Sequence, residues 1–164
     1  MVGTKITSKQ FWLMKSEASV YSIEDLARDK TTLWDGVRNY QARNFLRDQI
    51  KKSDLIFFYH SNSAPSGIAG VAQVVREGYP DPSAFNSQDV HYDPKSTKDM
   101  PVWFAVDIRF VRKLKRLLSL AELKKISGLK SMTLLKRGRL SVQPVTENEW
   151  RIILGLAGVE SHDL

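Results

Sequence analysis

Leu55-Ile56-Phe57-Phe58-Tyr59, then His60-Ser61-Asn62-Ser63-Ala64-Pro65-Ser66-Gly67, then the small and β-branched run Ile68 to Val75, is the stretch that decides the fold. Five consecutive apolar residues bounded by Ser53-Asp54 and by a Ser, Asn, Pro and Gly loop have the length of a buried strand. The run after the loop pairs back as the next strand. The connection is too short for the helical crossover that a parallel neighbour needs. Gly67 and Gly70 permit a bulge or a close backbone approach within that second strand.

Working outward, Phe11-Trp12-Leu13-Met14 is a short apolar strand ending at Lys15-Ser16-Glu17. Val102 to Val111 alternates, with Val102, Phe104, Val106, Ile108 and Phe110 on one face and Trp103, Ala105, Asp107 and Arg109 on the other. Leu140 to Val145 is a short strand carrying Pro144. Ser22 with Asp25, and Thr146 with Glu149, are capping boxes that open helices over 23–28 and 147–154. Apolar spacing predicts helices near 40–50 and 120–126, the latter ending at Gly128. Tyr79 to Met100, with Pro80, Pro82 and Pro94, reads as a long ordered loop. The tally is an α+β chain: a partly open β-barrel of five to six strands with short peripheral helices. A doubly wound parallel sheet fits less well. One domain over 1–164 is expected, with 1–8 and 158–164 as flexible ends.

The chain has 164 residues, 42% of them hydrophobic and 26% charged, so it can bury one substantial core. It has no cysteine, which removes disulfides and thiolate metal sites. The start of the chain has no apolar segment of a secretory signal, and no apolar run reaches the roughly 18 residues of a bilayer span. No membrane association is expected, and a cytoplasmic location is. Charge is uneven. From Arg109 to Arg139 eleven Lys or Arg face one acid, Glu122, a net +10 in a chain of +7, leaving the remainder at −3. A one-signed sector of this kind is an electrostatic footprint for a polyanion, although such runs are often only a solvated face.

Trp34-Asp35-Gly36-Val37-Arg38-Asn39-Tyr40-Gln41-Ala42-Arg43-Asn44 combines ring-stacking, amide and guanidinium side chains in eleven residues. Alone it is equally a loop anchored by its Trp. His60, His91 and His162 lack metal-ligand spacing, no nucleophile motif is present, and no cofactor is expected. Asp107, mid-strand among apolar residues, needs a partner such as an Arg if it faces inward. Trp34, Tyr59 and Trp103 would each be core residues singly. Together with their polar neighbours they fit a pocket that sandwiches one unstacked base, while Arg38, Arg43 and the basic sector (Arg112, Lys113, Lys136, Arg137, Arg139) contact phosphates.

Phe11 to Glu17, Trp34 to Phe45, Phe58-Tyr59-His60-Ser61-Asn62, Tyr92-Asp93-Pro94-Lys95-Ser96 and Arg139-Leu140-Ser141-Val142-Gln143-Pro144-Val145 together resemble the EVE domain family. That family includes the thymocyte nuclear protein relatives and many bacterial single-domain members. The resemblance runs from about Phe11 to Leu154. It implies a PUA-like β-barrel that binds nucleic acid and reads modified bases, with 5-methylcytosine or its oxidised forms in DNA as the leading candidates and RNA as a further one. Carried over, the pocket would be built from Lys15 and Ser16, from Trp34 through Asn39 (Gly36, Val37 and Arg38 among them), from Tyr59, His60 and Ser61, and from Ser141, Val142 and Gln143. Ala18 stands where relatives place a proline, and the basic extension of the nuclear members is not seen. That favours a bacterial-type protein, with a nuclear location if the source is eukaryotic.

The expected function is thus a non-enzymatic reader. Trp34 and Tyr59 would stack on the base, and Asn39 with the Ser16 or Ser61 region would read its edge. A buried methyl adds only about 0.8 kcal/mol, so selectivity must come from a close-fitting wall. Two rivals remain: an enzyme acting on nucleotides or nucleic acid through His60 and Asp107, which must then converge in one cavity, and an RNA- or protein-binding module using only its basic face.

Overall fold

A computed structural model describes residues 9–164; the segment 1–8, expected as a flexible end, lies outside the described residues. The elements are β1 (Phe11–Glu17), α1 (Ile23–Asp29), β2 (Thr31–Trp34), α2 (Tyr40–Asn44), β3 (Leu55–Ser61), β4 (Gly67–Pro80), β5 (Phe104–Ser119), α3 (Leu120–Lys124), α4 (Thr133–Lys136), β6 (Val142–Val145) and α5 (Glu147–Ala157). One sheet runs β2-β5-β4-β3-β1-β6 and does not close, so the molecule is the α+β, partly open arrangement expected. The β3–β4 pair is antiparallel, as the short loop requires. Only β1 and β3 are parallel, and everything from α1 to the turn after α2 serves as their crossover.

Alternation along the strands divides the interior in two. Trp12, Met14, Ile56 and Phe58 point into a core with Trp34, Leu46, Val106 and Ile108. Leu13, Leu55, Phe57 and Tyr59 point the other way, into a second core closed by Trp150, Ile153 and Leu154 of α5. Both capping boxes form: Ser22 and Asp25 bond each other's backbone N–H at α1, as do Thr146 and Glu149 at α5.

The glycines of β4 let backbones approach. A Cβ on Gly67 would sit 2.3 Å from the Leu118 carbonyl oxygen, and the β4–β5 register shifts between Ile68 and Gly70. Such bulges bend long strands, as β4 and β5 are.

Several elements differ from expectation: β4 runs on past Val75 to Pro80, into the stretch read as loop, and α4 is an unanticipated helical turn. β2 is an unanticipated strand, paired from Thr31 with Arg109 to Trp34 with Val106. β5 continues past Val111 to Ser119, because Val71 and Gly70 pair with Arg112 and Lys113, and Ile68 and Gly67 pair with Leu118 and Ser119. The helix expected over 40–50 is α2 followed by a π-helical turn at Phe45–Gln49. In the long loop Asp81, Asp89 and Asp93 each accept from a backbone N–H two residues on, as turn formers do. Residues 158–164, expected as a loose end, contain the buried Val159, a 3-10 turn at Ser161–Asp163, and Asp163 lying 3.9 Å from Arg112.

Candidate nucleic-acid interface

A cavity of about 700 Å³ opens where the end of β1, strand β2 and the long loop meet, within the range of roughly 300–1,000 Å³ usual for small-ligand sites. β1 contributes Lys15, Ser16 and Glu17, and β2 contributes Thr32, Leu33 and Trp34. The chain beyond β2 adds Asp35 to Arg38, the long loop adds Val90 and His91, and Ser141 comes from the turn before β6.

Trp34 is the last residue of β2. The residue is 8% exposed, its ring stands edge-on to Phe58 at 5.5 Å, and it still borders the cavity. Gly36 follows in the left-handed region (φ +77°), where a Cβ would strike the His91 ring at 2.8 Å. Its N–H donates to Asp81, which also accepts from Arg38 and from both the backbone and hydroxyl of Ser83. Burial pushes the Asp81 carboxyl up, yet the Ser83 and Arg38 hydrogen bonds outweigh it and hold it below the usual carboxylate range.

Arg38 is fully committed. Its Nε and Nη2 donate to the His91 carbonyl, Nη1 to Val37 O and Asp81, and Nη2 also to Ser83 Oγ. All five N–H donors are thereby used. The expected phosphate contact from Arg38 has no donor left, and its role is to tie the long loop to the cavity wall. Asp35, by contrast, makes no ion pair and no hydrogen bond to another side chain among the described residues. Burial, then the nearby Asp81 charge, raises its carboxyl above the ordinary value. Lys15 donates to the Gly138 carbonyl at 2.7 Å, and burial lowers its ammonium. Ser16 donates to the Tyr21 carbonyl.

The structure therefore brings Lys15, Ser16, Trp34, Gly36, Val37, Arg38 and Ser141 to one cavity. The other expected pocket residues lie elsewhere, for reasons the strand period makes plain. Tyr59 falls in the second core, on the face opposite Trp34, so Phe58 is the ring that meets Trp34. Val142 and Gln143 are buried in β6, and Gln143 donates to the Leu140 carbonyl. Asn39 caps α2 by accepting from Ala42 N–H. Trp103 is packed against Tyr40 and Arg38 with its Nε1 on Asp93, outside the cavity lining. Ser61 ends β3 paired with Glu17 but is not itself part of the lining. Sequence reasoning passed over Glu17, Val20, Tyr21, Thr32, Leu33, Val90 and His91. A period-2 reading back from Trp34 would have found Thr32.

His60 and Asp107 do not converge. His60 Nε2 accepts from the Ile23 N–H at 3.0 Å, whereas Asp107 accepts from the Tyr79 hydroxyl rather than from an Arg. Along β5, Asp107 is twelve residues from Ser119, the residue that shares Gly67 with His60 as a partner. The basic sector is also sorted. Lys113 pairs with Glu24 at 2.8 Å, Arg116 with Glu122 at 2.7 Å, and Arg112 approaches Asp163. Lys136 ends α4, Arg137 and Arg139 flank Gly138, to which Lys15 is tied, and Arg137 donates to Gln41 of α2. Arg43 donates to Val102 O and Asn44. Among the described residues no group of three or more His, Asp or Glu is placed to hold a metal, and no helix is long and apolar enough to cross a membrane.

A half-open mixed sheet with a cavity between the end of β1 and the edge strand β2, walled in part by Trp34, is the architecture of a ligand-accepting β-module. The family model for the EVE domain matches residues 10–156, and the chain belongs to that family. Thymocyte nuclear protein 1 of Rattus norvegicus is 50% identical over 169 residues, covering 92% of this chain and 74% of the relative. The crystal structure of human THYN1 protein in complex with 5-methylcytosine-containing DNA superimposes with a TM-score of 0.86 at 47% identity, covering 93% of this chain and 99% of that one. A Leishmania major protein of solved structure gives a TM-score of 0.89 at 44% identity, covering 92% and 96%.

Proposed function

We propose that this protein binds nucleic acid by receiving one extruded, modified base in the cavity beside Trp34, without chemistry on it. The cavity bordering that indole carries the reading. The complex of human THYN1 protein with 5-methylcytosine-containing DNA makes 5-methylcytosine in DNA the leading candidate. Trp34 supplies the aromatic wall, with Val37 and the Gly36 backbone beside it. Asp35, a carboxyl at the lining that bonds no other side chain, is suited to accept from the exocyclic amino group of a cytosine. Ser16 and Ser141 offer hydroxyls to the same edge. Separation of His60 from Asp107 removes the pair on which an enzymatic reading rested.

The test compares wild type and Trp34→Ala on oligonucleotides that differ only by one 5-methylcytosine. Wild type binds the modified strand more tightly, and the variant loses that preference, with overall affinity down by about tenfold, as expected for a stack of roughly 1–3 kcal/mol. Undiminished preference in a folded variant overturns the proposal.

A further inference from the structure

Tyr40, the first residue of α2, is 63% exposed, yet its ring lies on Trp103 with centroids 5.0 Å apart and planes 27° from parallel. Trp103 itself is 6% exposed and held on two sides: Nε1 donates to Asp93 at 2.7 Å, and the Arg38 guanidinium lies 5.3 Å from the ring. All five Arg38 N–H groups are hydrogen-bonded elsewhere, which ties its guanidinium in place beside the ring. Arg43 stands 5.1 Å from the Tyr40 ring, anchored through Nη1 to the Val102 carbonyl and through Nε to Asn44. Its Nη2 makes no hydrogen bond among the described residues. Arg137 lies by the same helix, bonded to Gln41.

An exposed tyrosine is ordinarily a mobile surface side chain. Here the ring is fixed from below and has a fixed cation at its side, so little further ordering is needed to receive a planar ligand. The pairing of an aromatic face with a guanidinium matches one nucleotide, base on ring and phosphate on cation. Arg38 borders the cavity and Tyr40 is two residues on, so the platform stands on the same stretch of chain as the cavity wall.

We propose that Tyr40 and Arg43 form a second nucleotide subsite outside the cavity, where the ring stacks the base next to the extruded one and Arg43 Nη2 takes its phosphate. The assignment of the neighbour rests on the cavity reading above; the stacking platform does not.

The experiment is a coupling cycle on short single-stranded oligonucleotides, with and without one 5-methylcytosine. Each is made with an intact or an abasic nucleotide on either side of the central position. The proteins are wild type, Tyr40→Phe, Tyr40→Leu and Arg43→Lys. Leu keeps Trp103 covered while removing the aromatic face, so folding is preserved, as a melting curve verifies. Tyr40→Leu is expected to weaken intact strands about tenfold and Tyr40→Phe less than twofold. An abasic flank costs wild type a similar factor on one side only, and costs Tyr40→Leu almost nothing more. Arg43→Lys weakens all strands several-fold. Additive losses, or equal binding by Tyr40→Leu and wild type, overturn the subsite. A wild type indifferent to methylation but still coupled at Tyr40 overturns the cavity reading and sustains the platform. Absence of any oligonucleotide binding overturns both.

Discussion

His60 accepts a hydrogen bond at Nε2 from the Ile23 N–H, at the start of α1, and only a neutral imidazole can do so. Burial, its largest influence, lowers its pKa below the ordinary 6.5. The unfolded chain then holds more protons than the folded one just below pH 6.5. The stabilising contribution is whole above that value and is lost as pH falls through the lower folded-state value. Denaturant titrations between pH 7.5 and 5 should show wild type losing stability, on the order of the single hydrogen bond at stake, about 1 kcal/mol. A His60→Gln variant should lose less over the same interval. Arg38 teaches a related lesson about legibility. A guanidinium next to Trp34 reads as a phosphate ligand in sequence, but its partner Asp81 is 43 residues distant and nothing local announces it.

Elements whose signals are local were readable. Ser22 with Asp25 and Thr146 with Glu149 marked two helix starts, because a capping box is written within four residues. β2 and the distal half of β5 were not readable. Thr31 to Trp34 is too short for a periodic pattern, and β5 extends through Arg112 and Lys113 because Val71 and Gly70 of β4 pair with them. The same dependence explains Tyr59: one residue's shift along β3 exchanges one core for the other. At the element scale, Gly67→Ala should be costly, since its Cβ would meet the Leu118 carbonyl, which belongs to β5 and cannot swing aside. A loss of about 1–3 kcal/mol in urea unfolding is expected. Gly138→Ala, with nothing within 4 Å of the added carbon, should cost far less.

Across the whole molecule the +10 sector is not one patch. Arg116 is held by both oxygens of Glu122 and Lys113 by Glu24, whereas the segment carrying Lys136 and Arg139 stands by the cavity and α2. Neutralising Lys136 and Arg139 to Gln should weaken binding to all oligonucleotides alike. It should also flatten the log–log salt dependence by roughly 0.7 per lost single-strand phosphate contact. Arg116→Gln should leave that slope where it was, and an equal effect from both changes would refute the sorting. The two cores on opposite faces of the sheet have a practical consequence as well. Trp34 and the cavity beside it draw on one, while α5 draws on the other. A biosensor can therefore grip the protein through the outer surface of α5, for instance at Arg151, whose side chain is 70% exposed, and leave the mouth turned toward the analyte.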